Sequence, residues 1–438
     1  MTTKRGRGKK RRKKAKKSPG AAAPGPSSAS TCPDPRRGGP GAGLRDWAWL
    51  AVAALLSAQW IVLRAAAVPL GHEAQAMLAG LAILGAAFIL SWAAEAAQKD
   101  IPQALALIAL AWIAVLPEYA VDLYFAWVAG KDPSYAAYAT ANMTGANRLL
   151  IGLGWPAVLL AIWCKGRVRE IALEPTRRIE LGALGLATLY AFLIPLKGTL
   201  SLLDAVVLIG IFVLYAYWAA RSPMVEIDLE GPAGRVASWP AAPRRAMVVV
   251  QFVFAGAAIL FAAEPFAEGL LGVGREHGIE EFILVQWLAP LASEAPEFIV
   301  AILFALRGRA AVGLGALLSA KVNQWTLLVG AIPVVYGISA GAAAPMLLDF
   351  RQREEILLTA AQSLLGLMVL VNLRFGLQEA LLLAMLFMAQ LFFPTTEVRI
   401  AFSVLYGFMC VALLFRRGEW KALKALAHPL SPAAGEKP

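Results

Sequence analysis

Two carboxylates and a proline stand together in Leu291-Ala-Ser-Glu-Ala-Pro-Glu297, inside an otherwise apolar segment that runs from about 280 to 306. An acidic side chain at the centre of a bilayer costs about 2.5–3.5 kcal/mol on insertion scales. Proline removes one helical N–H and frees the carbonyl that N–H would have bonded. Both are tolerated at membrane depth where helices enclose a polar cavity, and such intramembrane acids mark ion or proton pathways. The pattern occurs a second time in Leu116-Pro117-Glu118, within the apolar segment 101–128. Asp122 follows Glu118 by one helical turn and shares its face. Each proline precedes a key glutamate, so freed backbone carbonyls join the carboxylates as oxygen donors for a cation.

The rest of the chain fits a membrane setting. It has 438 residues, 59% of them hydrophobic, and a mean hydropathy of +0.63, which excludes most soluble enzyme classes. The formal charge is +12, but residues 1–43 hold thirteen Lys and Arg against one Asp, so the membrane part is neutral overall. The high pI therefore describes one tail, and no nucleic-acid partner is expected. Rich in Lys, Arg, Ala, Pro, Gly and Ser, this tail cannot bury a core and reads as disordered. It sets orientation and offers a handle for anionic lipids. It is not a signal peptide, because its basic region is too long and the following apolar run is long enough to span. Cys32, Cys164 and Cys410 match no metal spacing or disulfide framework. His72, His277 and His428 form no cluster. With no P-loop, Gly-x-Ser-x-Gly or His-Glu-x-x-His sequence, neither ATP-driven transport nor an enzymatic centre is supported.

Twelve apolar segments position the acidic residues: 45–67, 74–96, 101–128, 135–164, 179–196, 199–221, 246–272, 280–306, 310–337, 355–373, 376–393 and 398–415. Their length and hydropathy predict membrane helices, with many Trp near the span ends as an interfacial belt. The tail, 165–178, 221–245, 307–309 and 416–424 carry the basic residues and fall on one side if both termini are cytoplasmic. The expected organisation is a basic cytoplasmic tail (1–44), a first membrane half (45–221) with a repeat at about 101–164, and a cytoplasmic loop (222–245). A second half (246–415) follows, with a repeat at about 280–337, and then a cytoplasmic tail (416–438). Segments 101–128 and 280–306 run in opposite directions, which is inverted-repeat topology with a site near the midplane. The expected fold is thus an all-α, multi-pass protein of an inner or plasma membrane, with about twelve spans.

Beyond Pro-Glu, the second repeat continues with Gly315-Ala-Leu-Leu-Ser-Ala-Lys-Val-Asn-Gln-Trp-Thr-Leu-Leu-Val-Gly330, and the first with Ala141-Asn-Met-Thr-Gly-Ala-Asn147. With Ser293-Glu-Ala-Pro-Glu297 and Ala114-Val-Leu-Pro-Glu118, these runs resemble the two alpha-repeats of the sodium/calcium exchanger family of cation/calcium antiporters. The motifs cover about a quarter of the chain. The resemblance implies a ten-helix exchanger core with the first and last spans added, and a central site for a hard cation with no resident cofactor. Position by position, Glu118 and Glu297 match the two metal-binding glutamates, Ser293 a hydroxyl ligand, and Gln324 an Asp or Asn position. Asn142, Asn147 and Asn323 would lend neutral oxygens, or serve as hydrogen-bonding glue between helices. Helices around 74–96 and 246–272 would slide past the site.

Several positions depart from the family pattern. Ala114 and Val115 replace hydroxyl residues, Glu294 replaces another, Ala146 and Ala320 replace serines, and Leu150 stands where the first repeat should offer Asn. Two cations have been added: Arg148 beside Asn147, and Lys321 at a normally Asn position. A tethered cation could pair with a glutamate in each repeat, and it would compete with a transported ion. Glu294 reads equally as ligand, proton carrier or partner of Lys321, and Asp122 as a supporting or structural group. Glu73 and Glu95 lie near span ends, and Glu264 with Glu268 line an entrance or a wet face.

The expected function is secondary-active antiport of a cation, Ca²⁺ favoured, against Na⁺ or H⁺. One alternative is a proton-coupled antiporter, or a carrier of another solute, in which Arg148 and Lys321 replace bound Na⁺. The other is a non-transporting membrane scaffold. Membrane lipids and the transported ions are the expected partners.

Overall fold

A computed structural model of the chain describes residues 40–100, 116–221, 229 and 231–415, together with Thr2. The rest of the expected basic tail up to residue 39, the start of the third segment (101–115, with Ala114 and Val115), residues 222–228 and 230 of the central loop and the tail from 416 lie outside the described residues.

The described chain is helical almost throughout. In the first half the helices are α1 (Pro40–Ala65), α2 (His72–Ala97), α3 (Leu116–Ala129), α4 (Ala136–Leu149), α5 (Trp155–Gly166), α6 (Arg178–Ala191), the short α7 (Leu193–Lys197) and α8 (Leu202–Ala219). After α9 (Gly231–Ala237), the second half comprises α10 (Ala241–His277), α11 (Glu281–Leu306), α12 (Ala310–Asn323), α13 (Val329–Ala340), α14 (Phe350–Leu370), α15 (Leu377–Phe392) and α16 (Thr396–Leu414). Among the described residues nine helical stretches are long and apolar enough to cross a membrane. The remaining expected spans are α3, described from Leu116; α14, which opens on charged residues; and α15, which is 16 residues long. The expected all-α multi-pass fold is therefore the one observed.

The two repeats have the same internal build. In each, a 14-residue helix (α4, α12) passes through a five-residue π-type turn into a 12-residue helix (α5, α13). The π turns occupy Leu150–Gly154 and Gln324–Leu328. Such turns are rare in helices and concentrate at functional sites. The sequence reading placed the helical disruption at the prolines instead. In the structure α11 is one continuous helix through Pro290 and Pro296, since neighbouring helices and local adjustment re-satisfy the backbone groups that proline frees in a membrane helix; the turn before Pro117 lies outside the described residues.

Two small antiparallel clasps tie the halves together. Strand β1 (Glu170–Ala172) pairs with β4 (Arg374–Gly376), Ile171 opposite Phe375. Strand β2 (Thr199–Leu200) pairs with β3 (Met346–Leu347), Thr199 opposite Leu347. Each clasp joins a loop of one half to a loop of the other, and following the helices through the fold puts the clasps on opposite faces.

The apolar core falls into two main parts. The larger gathers Trp155, Leu181, Leu184, Leu314, Leu318, Trp325 and Leu365 around the second helices of the repeats. The other packs α10 on α2 through alanines such as Ala79, Ala82, Ala262 and Ala267. This α1–α2–α10 group is cross-bonded within itself: Ser57 Oγ donates to Ala82 O (3.4 Å), Trp60 Nε1 to Phe261 O (3.0 Å) and Gln75 Nε2 to Pro265 O (2.9 Å). Close helix contacts position the site as well. A side-chain carbon at Gly145 would collide with the Gln286 carbonyl, so only glycine lets α4 come so near α11.

Candidate cation site

The site lies where α3, α4, α11 and α12 meet. Glu118 and Asp122 come from α3, Asn142 and Asn147 from α4, Ser293, Glu294 and Glu297 from α11, and Lys321 and Asn323 from the end of α12, with Gln324 opening the π turn. Glu118, Asp122, Asn142, Asn147, Glu294, Lys321, Asn323 and Gln324 are all 2% exposed or less, and Ser293 is buried too. Glu297 is half-buried, with its Oε2 inside.

The carboxylates are brought together. Glu118 and Glu294 face each other within hydrogen-bonding reach, and Glu294 meets Glu297 in the same way. Neither oxygen of Glu118 has a donor, nor do Glu294 Oε2 and Glu297 Oε2. Adjacent carboxylates cannot both carry bare charge in a low-dielectric interior, so a proton or a cation must stand between them. Neutral groups complete the cluster. Gln324 Nε2 donates to Glu294 Oε1 (2.6 Å) and Asn142 Nδ2 to Asp122 Oδ1 (2.8 Å). That leaves Gln324 Oε1, Asn142 Oδ1 and Asp122 Oδ2 buried without a partner. Among the described residues no three His, Cys, Asp or Glu are arranged to hold a metal ion by themselves. A cation here would therefore draw on amide oxygens as well as carboxylates, a mixed oxygen set suited to a hard ion.

The two added cations part ways. Lys321 stands in the cluster, wholly buried, its Nζ donating to Asn147 Oδ1 (2.7 Å) and lying 4.5 Å from the Trp325 ring centroid. Asn147 and Lys321 are each the twelfth residue of their helix, α4 and α12. Equivalent positions of the two repeats thus touch each other, which puts this bond at the centre of the inverted repeat. Arg148 does not reach Glu118. Its Nη2 lies 2.6 Å from Glu355 Oε2 on α14, and Lys321 bonds Asn147 while Glu294 accepts from Gln324, so the reading of a glutamate paired with its own tethered cation fails in both repeats. For Arg148 the reason is geometric: it follows Asn147 by one residue, about 100° around the helix, and so faces away from the cluster.

Two further expectations are refined. Ser293 Oγ bonds within its own helix, to Ala289 O (3.3 Å) and Pro290 O (3.2 Å). Asn323 Oδ1 accepts from the Tyr119 hydroxyl (3.1 Å), and Asn147 Nδ2 donates to Met143 O (2.8 Å). Tyr119, beside Glu118, went unnoticed in the sequence. So did Glu355, whose signal was present: Glu355, Thr359, Gln362 and Ser363 recur at helical spacing as a buried polar stripe in an apolar segment. Glu268 is more than a wetted group, since its Oε1 accepts from Tyr124 (2.8 Å) and Tyr135 (2.9 Å) hydroxyls.

Buried carboxylates at the junction of two inverted repeats define a secondary-transporter core of the cation-exchanger class. A sequence profile of the family described as sodium/calcium exchanger protein matches residues 74–221 and 247–396. Among solved structures, one described as the H⁺/Ca²⁺ exchanger CAX is 44% identical, with 88% of this chain and 98% of that one covered and a TM-score of 0.85. Native YfkE is similar in fold, with 14% identity, coverage of 81% and 99%, and a TM-score of 0.57. No curated protein matches the sequence significantly. The chain belongs to the sodium/calcium exchanger family.

Proposed function

We propose that this protein exchanges Ca²⁺ for H⁺ by alternating access, with both termini in the cytoplasm and the basic tail on the anionic face of an inner or plasma membrane. The observation that carries the proton reading is Lys321. Its ammonium fills the centre of the site on the Asn147 oxygen, where a monovalent cation would otherwise be coordinated, so Na⁺ has no vacant place there. The coupling ion is then the proton, and the facing Glu118, Glu294 and Glu297 are groups able to hold either protons or Ca²⁺. The 44% identity with an H⁺/Ca²⁺ exchanger supports the same choice.

In this mechanism Ca²⁺ enters between Glu118 and Glu297, displaces protons from the carboxylates, and takes neutral oxygens from Gln324 and Asn142. After the site opens to the other side, protons return to the glutamates and release it. Lys321 keeps the emptied site from carrying a large uncompensated negative charge. The test is ⁴⁵Ca²⁺ uptake into proteoliposomes under an imposed H⁺ or Na⁺ gradient. Uptake driven by the H⁺ gradient with Na⁺ absent supports the proposal. Uptake that follows only Na⁺ overturns the proton coupling, and no uptake under either gradient overturns exchange.

A further inference from the structure

Outside the carboxylate cluster, α14 holds residue 148 of α4 at two points. Glu355 Oε2 meets Arg148 Nη2 (2.6 Å), and Gln362 Nε2 donates to the Arg148 carbonyl (3.3 Å), two residues before the π turn begins. The guanidinium also lies 5.0 Å from the Trp287 ring centroid on α11. Glu355 is itself fixed, with Oε1 3.6 Å from Arg399 Nη1, while Arg399 Nε bonds Glu354 Oε2 (3.0 Å). Arg148, Gln362, Glu355, Glu354 and Arg399 are all buried, so these contacts are little screened by water.

The chemistry of this network is internal pairing: two guanidiniums, Arg148 and Arg399, are matched by two carboxylates, Glu354 and Glu355. Its effect reaches the site through the backbone. Arg148 is covalently next to Asn147, and Asn147 Oδ1 is the acceptor for the Lys321 ammonium. With Arg148 gripped from one side of the helix, the Asn147 amide on another side is set in rotation and height against α12. We propose that Glu355 is a positioning residue for the cation site: through Arg148 it places Asn147, and Asn147 keeps Lys321 away from the glutamates that bind Ca²⁺. If the grip is released, the ammonium swings toward Glu118, which lies within its electrostatic range, and competes with Ca²⁺ there. The inference rests on the exchange reading for its transport consequence and on the geometry alone for the link between Glu355 and Lys321.

The test uses the full chain in proteoliposomes, comparing wild type, Glu355→Gln, Lys321→Gln and the double variant. Glu355→Gln is expected to raise the KM for Ca²⁺ at least about five-fold, the lower end of typical couplings between sites, with maximal rate near wild type. Glu355→Asp, which restores a carboxylate, should recover most of that loss. In the Lys321→Gln background, Glu355→Gln should bring no further change in KM, because the ammonium it controlled is gone. An unchanged KM in Glu355→Gln, or a full additional effect in the double variant, overturns the proposal. If wild type moves no Ca²⁺, the exchange reading fails. The same four proteins then decide the positioning role by thermal unfolding in detergent, where non-additive losses support the link and additive losses overturn it.

Discussion

Glu118 and Glu297 come from helices of opposite direction, yet they meet the same third carboxylate, Glu294, with buried oxygens left without donors. In the proposed mechanism, neutralising either removes both a proton carrier and a cation ligand. Glu118→Gln and Glu297→Gln should each lower ⁴⁵Ca²⁺ exchange by more than about ten-fold, the loss typical of groups around a metal site, in protein that still inserts and elutes as wild type does. Retained exchange in both would remove these glutamates from the pathway. Lys321 makes the opposite kind of prediction. Replacing it with Gln vacates the place beside Asn147, so rising Na⁺ should inhibit Ca²⁺ uptake by Lys321→Gln and leave wild type unaffected. Inhibition of both alike would mean that the ammonium does not exclude Na⁺.

At the scale of elements, the site depends on how closely helices approach. Gly145 lies against the Gln286 carbonyl, with no room for a further carbon, and Gly152 in the π turn is similarly covered by Phe387. Gly145→Ala should force α4 and α11 apart, costing about 1–3 kcal/mol as overpacked cores do, visible as a lowered Tm by intrinsic fluorescence in detergent. An unchanged Tm would mean that the helices have slack. Another tie lies at the end of α2, where Asp100 bonds Arg244 (2.7 and 2.8 Å) and Arg245 (2.9 Å) at the start of α10. The hydrogen bonds from Arg244 hold the Asp100 carboxyl well below the usual carboxylate range. A lowered folded-state pKa means that the unfolded chain takes up the proton first on acidification. The contribution is complete above the unfolded value of about 3.9 and is lost as pH falls below it. The Tm gap between wild type and Asp100→Asn should thus stay constant from pH 8 to about 5 and close below about 4.

For the whole molecule, the two halves are alike in build and opposite in direction, and they are clasped by the β1–β4 and β2–β3 pairs on opposite faces. The α1–α2–α10 group shares an apolar cluster with the site-bearing helices that includes Phe266 and Leu270 on its side and Val121, Phe125, Phe282 and Val285 on theirs. Polar ties between them include Glu268 with Tyr124 and Arg275 with Glu281 (2.9 Å), and Glu268 also holds Tyr135 in the turn between α3 and α4. The proposed orientation is testable with the chain's own thiols. Cys164 is exposed at the end of α5 and Cys410 is buried. In a Cys32→Ser background, an impermeant maleimide should label Cys164 in inside-out vesicles and leave it unlabelled in right-side-out cells; the reverse pattern would invert the topology.

What the sequence determined by itself is what depends on local composition and spacing. Hydropathy marked the spans because a bilayer demands apolar runs of fixed length, and the two Pro-Glu pairs stood out because carboxylates are costly there. Together they pointed to the inverted repeat and to Glu118 and Glu297 as candidates, while Gln324 entered only through the family resemblance. Side-chain direction and partner choice were left to tertiary structure. The sequence could not say that Lys321 would bond Asn147 while Arg148, one residue further on, would turn to Glu355, because that follows from helix rotation and from which helix lies opposite. Nor could it place the π turns at Leu150–Gly154 and Gln324–Leu328, since local backbone hydrogen bonding inside a helix is settled by the neighbours packed around it.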